Sequence, residues 1–287
     1  VPFLTALGPP LCELPHAHDT HVPVAVAPLR VRLAEGRALT LVAPTDAAAV
    51  ETMHALLGEE VDAVWAEVWP SAVAMADELL ACPALVAGAS VCELGAGLGL
   101  GGLAAAQSGA ARVCVTDREP RALWCALAAA AANGMPAAPL PPALAATLPP
   151  LPAMSAASSP RCLEVSAALL DWDAPLPAHL RSAFGVLLLA DVLYQPDSVA
   201  RLADVAAALL APGGRVILAD TATRKGKQGL RRHFLDELLR RAGGTLVIHR
   251  RPTRTVAMPA PEADSNTGDA HDVEMSVIAP ADWTPGC

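Results

Sequence analysis

Aromatic side chains are scarce: 3% of 287 residues, with one tyrosine, three phenylalanines and five tryptophans. Each Trp or Tyr is therefore a candidate for a specific role. An excess of basic charge is also missing. The formal net charge is −9, and a domain that grips nucleic acid across its surface is usually basic, so that class is disfavoured. No apolar run approaches the roughly 18 residues of a membrane span, so no membrane partner is expected. Cys-x-x-Cys pairs are absent among Cys12, Cys82, Cys92, Cys114, Cys125, Cys162 and Cys287. An odd set without that spacing implies free buried thiols in a reducing compartment, with neither a disulfide framework nor a metal centre. No signal peptide is visible, and the chain begins with Val1 rather than Met. The expectation is cytoplasm or nucleus, with a plastid allowed. No amphipathic repeat calls for self-association, so a monomer is expected.

What is abundant is apolar. Hydrophobic residues make up 53%, enough for a large core, although alanine inflates the figure. The apolar run Ala89 to Leu94 reads as a buried strand, glycines crowd residues 95–102, and Leu103 to Gln107 reads as helix. A strand that turns on glycine into a helix lets a ligand touch backbone and aims the helix N-terminus at it. A second run, Ala111 to Thr116, ends on Asp117. An acid about twenty residues beyond the turn can accept from the two hydroxyls of a ribose.

The remainder alternates in the same way. Residues 1–21 show no period and read as a loose arm, and the run 16–21 with its three histidines lacks an element to fix it as a metal site. Val22 to Arg32 and Arg37 to Val42 read as a β-hairpin, and Thr45 caps a helix from Asp46 to Leu57. Pro70 opens a helix to about Ala81. Arg121 to Ala132 is helix, and Met135 to Pro160 is Pro/Ala/Ser-rich and reads as a disordered insertion. Strands follow at Cys162 to Val165, Phe184 to Ala190 and Arg215 to Ala219, with helices at Ser198 to Leu210 and Gln228 to Ala242. Thr245 to His249 and Val273 to Ile278 close the chain as an antiparallel pair around a polar loop. Strand–helix units repeated five times predict an α/β fold, a Rossmann-like, doubly wound, seven-stranded sheet. It is mostly parallel, with a terminal antiparallel hairpin and a preceding N-terminal β-hairpin. The arm, hairpin and first helix would be residues 1–58, and the main domain residues 59–287.

The glycine turn fits two templates. Gly97, Gly99 and Gly102 satisfy the dinucleotide pattern, a weak signal alone. Glu93, Gly95, Gly97 and Gly99 satisfy the acid-led pattern of S-adenosylmethionine enzymes. A pyrophosphate wants a helix N-terminus free of anions, whereas a sulfonium and an amino group tolerate an acid beside it. Glu93 therefore favours S-adenosyl-L-methionine as cofactor.

Val68-Trp69-Pro70-Ser71-Ala72, the Glu93–Gly99 turn, Asp117, Asp171-Trp172 and Asp191-Val192-Leu193-Tyr194 occur in that order. The set resembles the seven-β-strand protein-lysine methyltransferases, the methyltransferase-like family that modifies non-histone proteins. The resemblance covers roughly residues 60–250, less the insertion. Ala219-Asp220 followed by Arg224 and Lys225 looks like the plant and algal branch. The resemblance implies methyl transfer to a lysine of a protein substrate. By it, Trp69 lines the pocket by the methionine portion, and Gly95 and Gly97 admit close backbone approach. Glu93 orients the turn or faces the amino group, and Asp117 binds the ribose. Asp171 and Trp172 hold the adenine edge and face, and Ala190 continues the floor. Asp191 and Tyr194 would carry the substrate chemistry, with Asp220 lining the cleft. The alternatives are a small-molecule methyltransferase on the same sheet and a non-catalytic scaffold that keeps the fold.

Overall fold

A computed structural model describes residues 4–14, 24–56, 63–152, 162–222, 229–258, 269–284 and 286. The chain starts with β1 (Leu4–Ala6), β2 (Cys12–Leu14), β3 (Val24–Arg32) and β4 (Ala38–Pro44), which form one antiparallel sheet around β3. The expected hairpin is thus β3–β4, but two short strands from the supposed loose arm extend it. The histidine run at 16–21 lies outside the described residues. The following helix, α1 (Ala47–Leu56), is capped one residue later than expected: Asp46 Oδ1 accepts from the Ala48 and Ala49 amides at 2.9 and 3.3 Å. Thr45 instead donates its hydroxyl to the Ala25 carbonyl at 3.2 Å.

The main sheet begins after α2 (Pro70–Ala81), with β5 (Ser90–Leu94), α3 (Leu100–Gln107), β6 (Arg112–Asp117) and α4 (Pro120–Ala132). Then come the short α5 (Pro142–Ala145), β7 (Glu164–Leu169), β8 (Phe184–Ala190), α6 (Val199–Leu209), β9 (Leu210–Thr221) and α7 (Leu230–Arg241). The chain closes with β10 (Leu246–Arg250), β11 (Arg254–Ala257) and β12 (Ala270–Pro280). The spatial order is β10-β12-β9-β8-β5-β6-β7. Pairings from β9 across to β7 are parallel, and β12 inserts antiparallel between β9 and β10.

Side-chain alternation on β8 explains why its sequence is continuously apolar. Val186 and Leu188 enter the buried cluster under α2, α3 and α4, whereas Leu187 and Leu189 enter the cluster under α6 and α7. Both faces of the strand are covered, as in doubly wound sheets. Each such fully buried Val or Leu stabilises by about 1.5–3 kcal/mol. The N-terminal sheet shares the first cluster, through Leu14, Val24, Val26, Leu39 and Leu41.

Five expectations are corrected. The sheet has an eighth strand, β11, inside the stretch read as a polar loop. It is pinned by Arg254 and Arg251, which both reach the buried Glu78 carboxylate on α2. Between β7 and β8 there is no α-helix, only a three-residue 3-10 turn at Ala178–Leu180, because Pro175 and Pro177 interrupt any longer one. Strand β9 begins at Leu210, where α6 ends, and bulges at Pro212-Gly213-Gly214, its regular pairing with β8 resuming at Arg215 opposite Val186. The Pro/Ala-rich segment is ordered up to residue 152: Leu144 and Leu148 are buried, and Trp124 Nε1 donates to the Pro149 carbonyl at 2.8 Å. Residues 153–161 lie outside the described set. Finally, Cys82 is disulfide-bonded, against the expectation of free thiols, while Cys12, Cys92, Cys114, Cys125 and Cys162 are free.

Candidate active site

The turn after β5 has glycine where a side chain would strike its neighbours. Gly95 has φ +61°, and a Cβ on it would stand 3.0 Å from Val192 Cγ1 and 3.3 Å from Trp172 Cζ2. Gly97 has φ +50°, and a Cβ would stand 3.1 Å from the Trp65 carbonyl oxygen. Both backbone conformations are ones that L side chains rarely adopt. Trp172 therefore lies against the turn.

Glu93 lies beneath this turn, almost fully buried. Its Oε2 accepts the Gly102 amide at 2.7 Å, and the Gly101 amide also faces the carboxylate. These are donors of the first turn of α3, whose cap residue Gly99 has no side chain to offer. Glu93 thus closes the N-terminus of α3 from inside the sheet. These bonds tie Glu93 to the turn, the first of its two expected roles, and do not bear on the second, facing the amino group. Burial pushes its pKa up from 4.5 to about 8, the two amides opposing and Asp117 adding to the rise.

Asp117 stands at the end of β6, as the spacing predicts. Its Oδ2 accepts the Gly97 amide at 2.8 Å and its Oδ1 the Glu119 amide at 3.0 Å. Burial raises its pKa, against the pull of the Glu119 and Gly97 amides. Each carboxylate oxygen keeps acceptor capacity beyond these bonds. Glu119 in turn caps α4 and pairs with the buried Arg121, its Oε1 accepting from Arg121 Nε at 2.5 Å.

Trp69 and Asp171, both expected to line the pocket, each make a hydrogen bond within the chain. Trp69 is the cap residue of α2, and its Nε1 donates to the Val64 carbonyl at 2.8 Å. Trp65, not singled out in the sequence, presents its carbonyl to Gly97 instead. Asp171 is exposed, and its Oδ1 accepts the Asp173 amide at 2.9 Å in a turn. Ala190 is half-buried at the end of β8, in register with Ala219.

Asp191 follows at once, 7% exposed and at φ +53°. Its Oδ2 accepts the Ser71 amide at 3.1 Å and its Oδ1 the Thr221 hydroxyl at 3.0 Å, while its own amide donates to the Ala219 carbonyl at 3.1 Å. Trp69 offers no side-chain cap to α2 and Pro70 has no N–H, so Asp191 serves the first free amide of that helix. Thr221 is a residue that sequence reasoning missed, and Ser71, quoted within the Val68–Ala72 stretch, was given no role toward Asp191; no local pattern links Ser71 to Asp191, since they are 120 positions apart. Tyr194 is half-buried in the same loop, and Asp220 lies in register with Glu274. Arg224 and Lys225 fall outside the described residues.

Sheet order and the acid-supported glycine turn together define a Rossmann-like α/β fold. Residues 52–135 match the model of a family described as lysine methyltransferase. Among curated proteins, the chain is similar to the electron transfer flavoprotein beta subunit lysine methyltransferase of Mus musculus, 42% identical over 59 residues. It is similar likewise to the Homo sapiens protein of that name, 43% identical over 59 residues. These stretches are 21% of this chain, and 23% and 22% of the relatives' lengths. Among solved structures, it resembles TYW2 of P. horikoshii in complex with MeSAdo, with a TM-score of 0.43, 14% identity, and 88% of this chain and 90% of that one covered. It also resembles the branched-chain polyamine synthase of Thermus thermophilus, with a TM-score of 0.47, 18% identity, and 75% and 58% covered.

Proposed function

We propose that the chain binds S-adenosyl-L-methionine at the glycine turn and transfers its methyl group to a lysine side chain of a protein substrate. The observation that carries the reading is the Glu93 carboxylate seated on the N-terminus of α3. A dinucleotide would need that N-terminus for its pyrophosphate, and here the amides are engaged by a carboxyl group. A ligand with a cationic centre and no phosphate suits the same geometry. The match to the lysine methyltransferase family spans this turn and Asp117, which supports the reading. The names of the mouse and human relatives support protein lysine as the acceptor to test first.

When bound, the cofactor supplies an activated methyl group on a sulfonium that leaves as a neutral sulfide. The residues therefore need no general acid; they must align the partners and keep the amine deprotonated. Asp117 would accept from the ribose hydroxyls with its remaining lone pairs. Trp172 would pack on the adenine, and Asp171 would accept from its exocyclic amine through the oxygen not used in the turn. The Gly95 and Gly97 backbone would admit close approach of the cofactor, with Ala190 continuing the floor and Trp69 lining the pocket beside the methionine portion. Asp191 and Tyr194 stand at the carboxyl end of the central strand, where α/β sheets present ligands. Asp191 would draw in the lysine ammonium, which must give one proton to solvent before its lone pair can attack the methyl group, and Tyr194 would form an aromatic wall.

The deciding experiment is calorimetric titration of wild type and Asp117→Ala with S-adenosylmethionine and, separately, NAD. Binding of the first alone, lost in the variant, supports the site. Uptake of labelled methyl by a protein acceptor, lost in Asp191→Ala, then supports the acceptor assignment. If a folded protein binds neither ligand, the enzyme reading fails and a scaffold remains. If labelled methyl enters only small molecules, the acceptor class is wrong.

A further inference from the structure

Asp191 is fastened by donors from two other elements. The Thr221 hydroxyl reaches it from the end of β9 and the Ser71 amide from the first turn of α2. Its left-handed backbone is a conformation that a non-glycine residue keeps only where its surroundings impose it. Beyond Ser71, the lead-in to α2 is one hydrogen-bonded unit. The Ala72 and Val73 amides donate to the Trp69 carbonyl at 3.1 and 3.2 Å, Trp69 Nε1 donates to the Val64 carbonyl at 2.8 Å, and the Ala66 amide donates to the Ala63 carbonyl at 3.0 Å. That unit ends against the glycine turn, where the Trp65 carbonyl faces Gly97. Asp117 grips the Gly97 amide. A continuous series of contacts therefore runs from Thr221 through Asp191 and Ser71 to the cover of Gly97.

We propose that Thr221 is a positioning residue for cofactor binding, acting through Asp191 to hold the lead-in of α2 over the glycine turn. The proposal rests on the reading of that turn as an S-adenosylmethionine site. Thr221 itself belongs to neither the turn nor the strand ends assigned to the nucleoside. Without its hydroxyl, Asp191 loses a donor on Oδ1, its carboxylate shifts relative to the Ser71 amide, and the placement of the segment that carries Trp65 over Gly97 changes with it. Nothing on the turn itself changes, so the effect is one of placement.

Calorimetric titration with S-adenosylmethionine tests this on wild type, Thr221→Val and Thr221→Ser, with thermal unfolding of each. Valine keeps the branched shape and removes the hydroxyl; serine keeps the hydroxyl. A hydrogen bond to a charged acceptor is strong enough that its loss should weaken binding by about tenfold in the valine variant. The serine variant should stay within about twofold of wild type, since its donor remains. Unchanged affinity in the valine variant overturns the proposal. Equal weakening in both variants also overturns it, because shape and not the hydroxyl would then matter. If Thr221→Val does not fold, Thr221→Ala is judged by the same criteria. Absence of binding in the wild type is a separate result: it removes the cofactor reading and this inference with it.

Discussion

Asn133 pairs with Thr40 as a neighbouring strand would. Its Oδ1 accepts the Thr40 amide at 3.0 Å, and its Nδ2 donates to the Thr40 carbonyl at 2.6 Å and to the Ala129 carbonyl at 2.7 Å. One side chain at the end of α4 thus supplies both halves of a ladder step to β4, an edge that would otherwise need covering. Asn133→Ala should destabilise by about 1–3 kcal/mol, because it leaves partly buried backbone groups unpaired. Urea unfolding measures this. Asn133→Asp should recover little, since it keeps the acceptor and loses the donor.

Glu78 gives a second test. Its carboxylate, 4% exposed, takes both Arg251 and Arg254 and so fastens the β10–β11 connection to α2. Burial alone would raise its pKa, but the Arg254 and Arg251 guanidinium groups draw it below 4.5. A depressed acid contributes stability that is present above its unfolded value and lost as pH falls through its folded value. Wild type should therefore lose stability below about pH 4.5 more steeply than Glu78→Gln. At neutral pH Glu78→Ala should cost about 2–4 kcal/mol, the arginines being left without their buried partner. Equal acid slopes in the two proteins would reject the assignment.

Glu93 predicts the opposite sign. Its folded value is about 8 against 4.5 unfolded, so its contribution to stability is complete below pH 4.5 and declines as pH rises to about 8. Glu93→Gln should flatten that decline, in unfolding free energies measured from pH 5 to 9. Asp117 is raised too and adds the same sign at lower pH. A cationic ligand favours the ionised carboxylate, so S-adenosylmethionine binding near neutral pH should release protons. Titrations in two buffers of different ionisation enthalpy would reveal the release, and Glu93→Gln should abolish most of it.

Gly97→Ala should weaken S-adenosylmethionine binding by more than about tenfold, since the new Cβ meets the Trp65 carbonyl in a left-handed backbone. Gly36 also has a left-handed backbone, at φ +75°, but nothing stands within 4 Å of a Cβ there. Gly36→Ala should carry a comparable strain, about 1–2 kcal/mol, without loss of binding. Equal effects on affinity would mean that the Gly97 result is strain alone.

Legibility in the sequence followed burial. Strands β5, β6 and β8 were readable because both faces are covered and their residues run apolar. The start of α2 was readable because Pro70 suits only a first helical position. Strands β1 and β2, three residues each, and β11, four, are too short to show a period. They exist because β3 and β12 offer them an edge. Order in the Pro/Ala-rich segment was missed because its anchors, Leu144, Leu148 and the Trp124–Pro149 bond, are sparse apolar points in a biased composition. At the site, Glu93, the glycines and Asp117 announced themselves by spacing. The Thr221–Asp191–Ser71 contacts did not, since no local pattern records a bond between residues so far apart in the chain.

Helix α4 has buried residues on every side, from Arg121 through Ala131. It can be so because the main sheet lies on one flank and the N-terminal sheet on the other, β3 and β4 packing directly against it. A fragment trimmed at residue 58, where composition invites a cut, would leave one flank of that helix facing water. Such a fragment should come out of expression as aggregate. Anyone seeking a minimal folded piece will have to shorten the chain elsewhere.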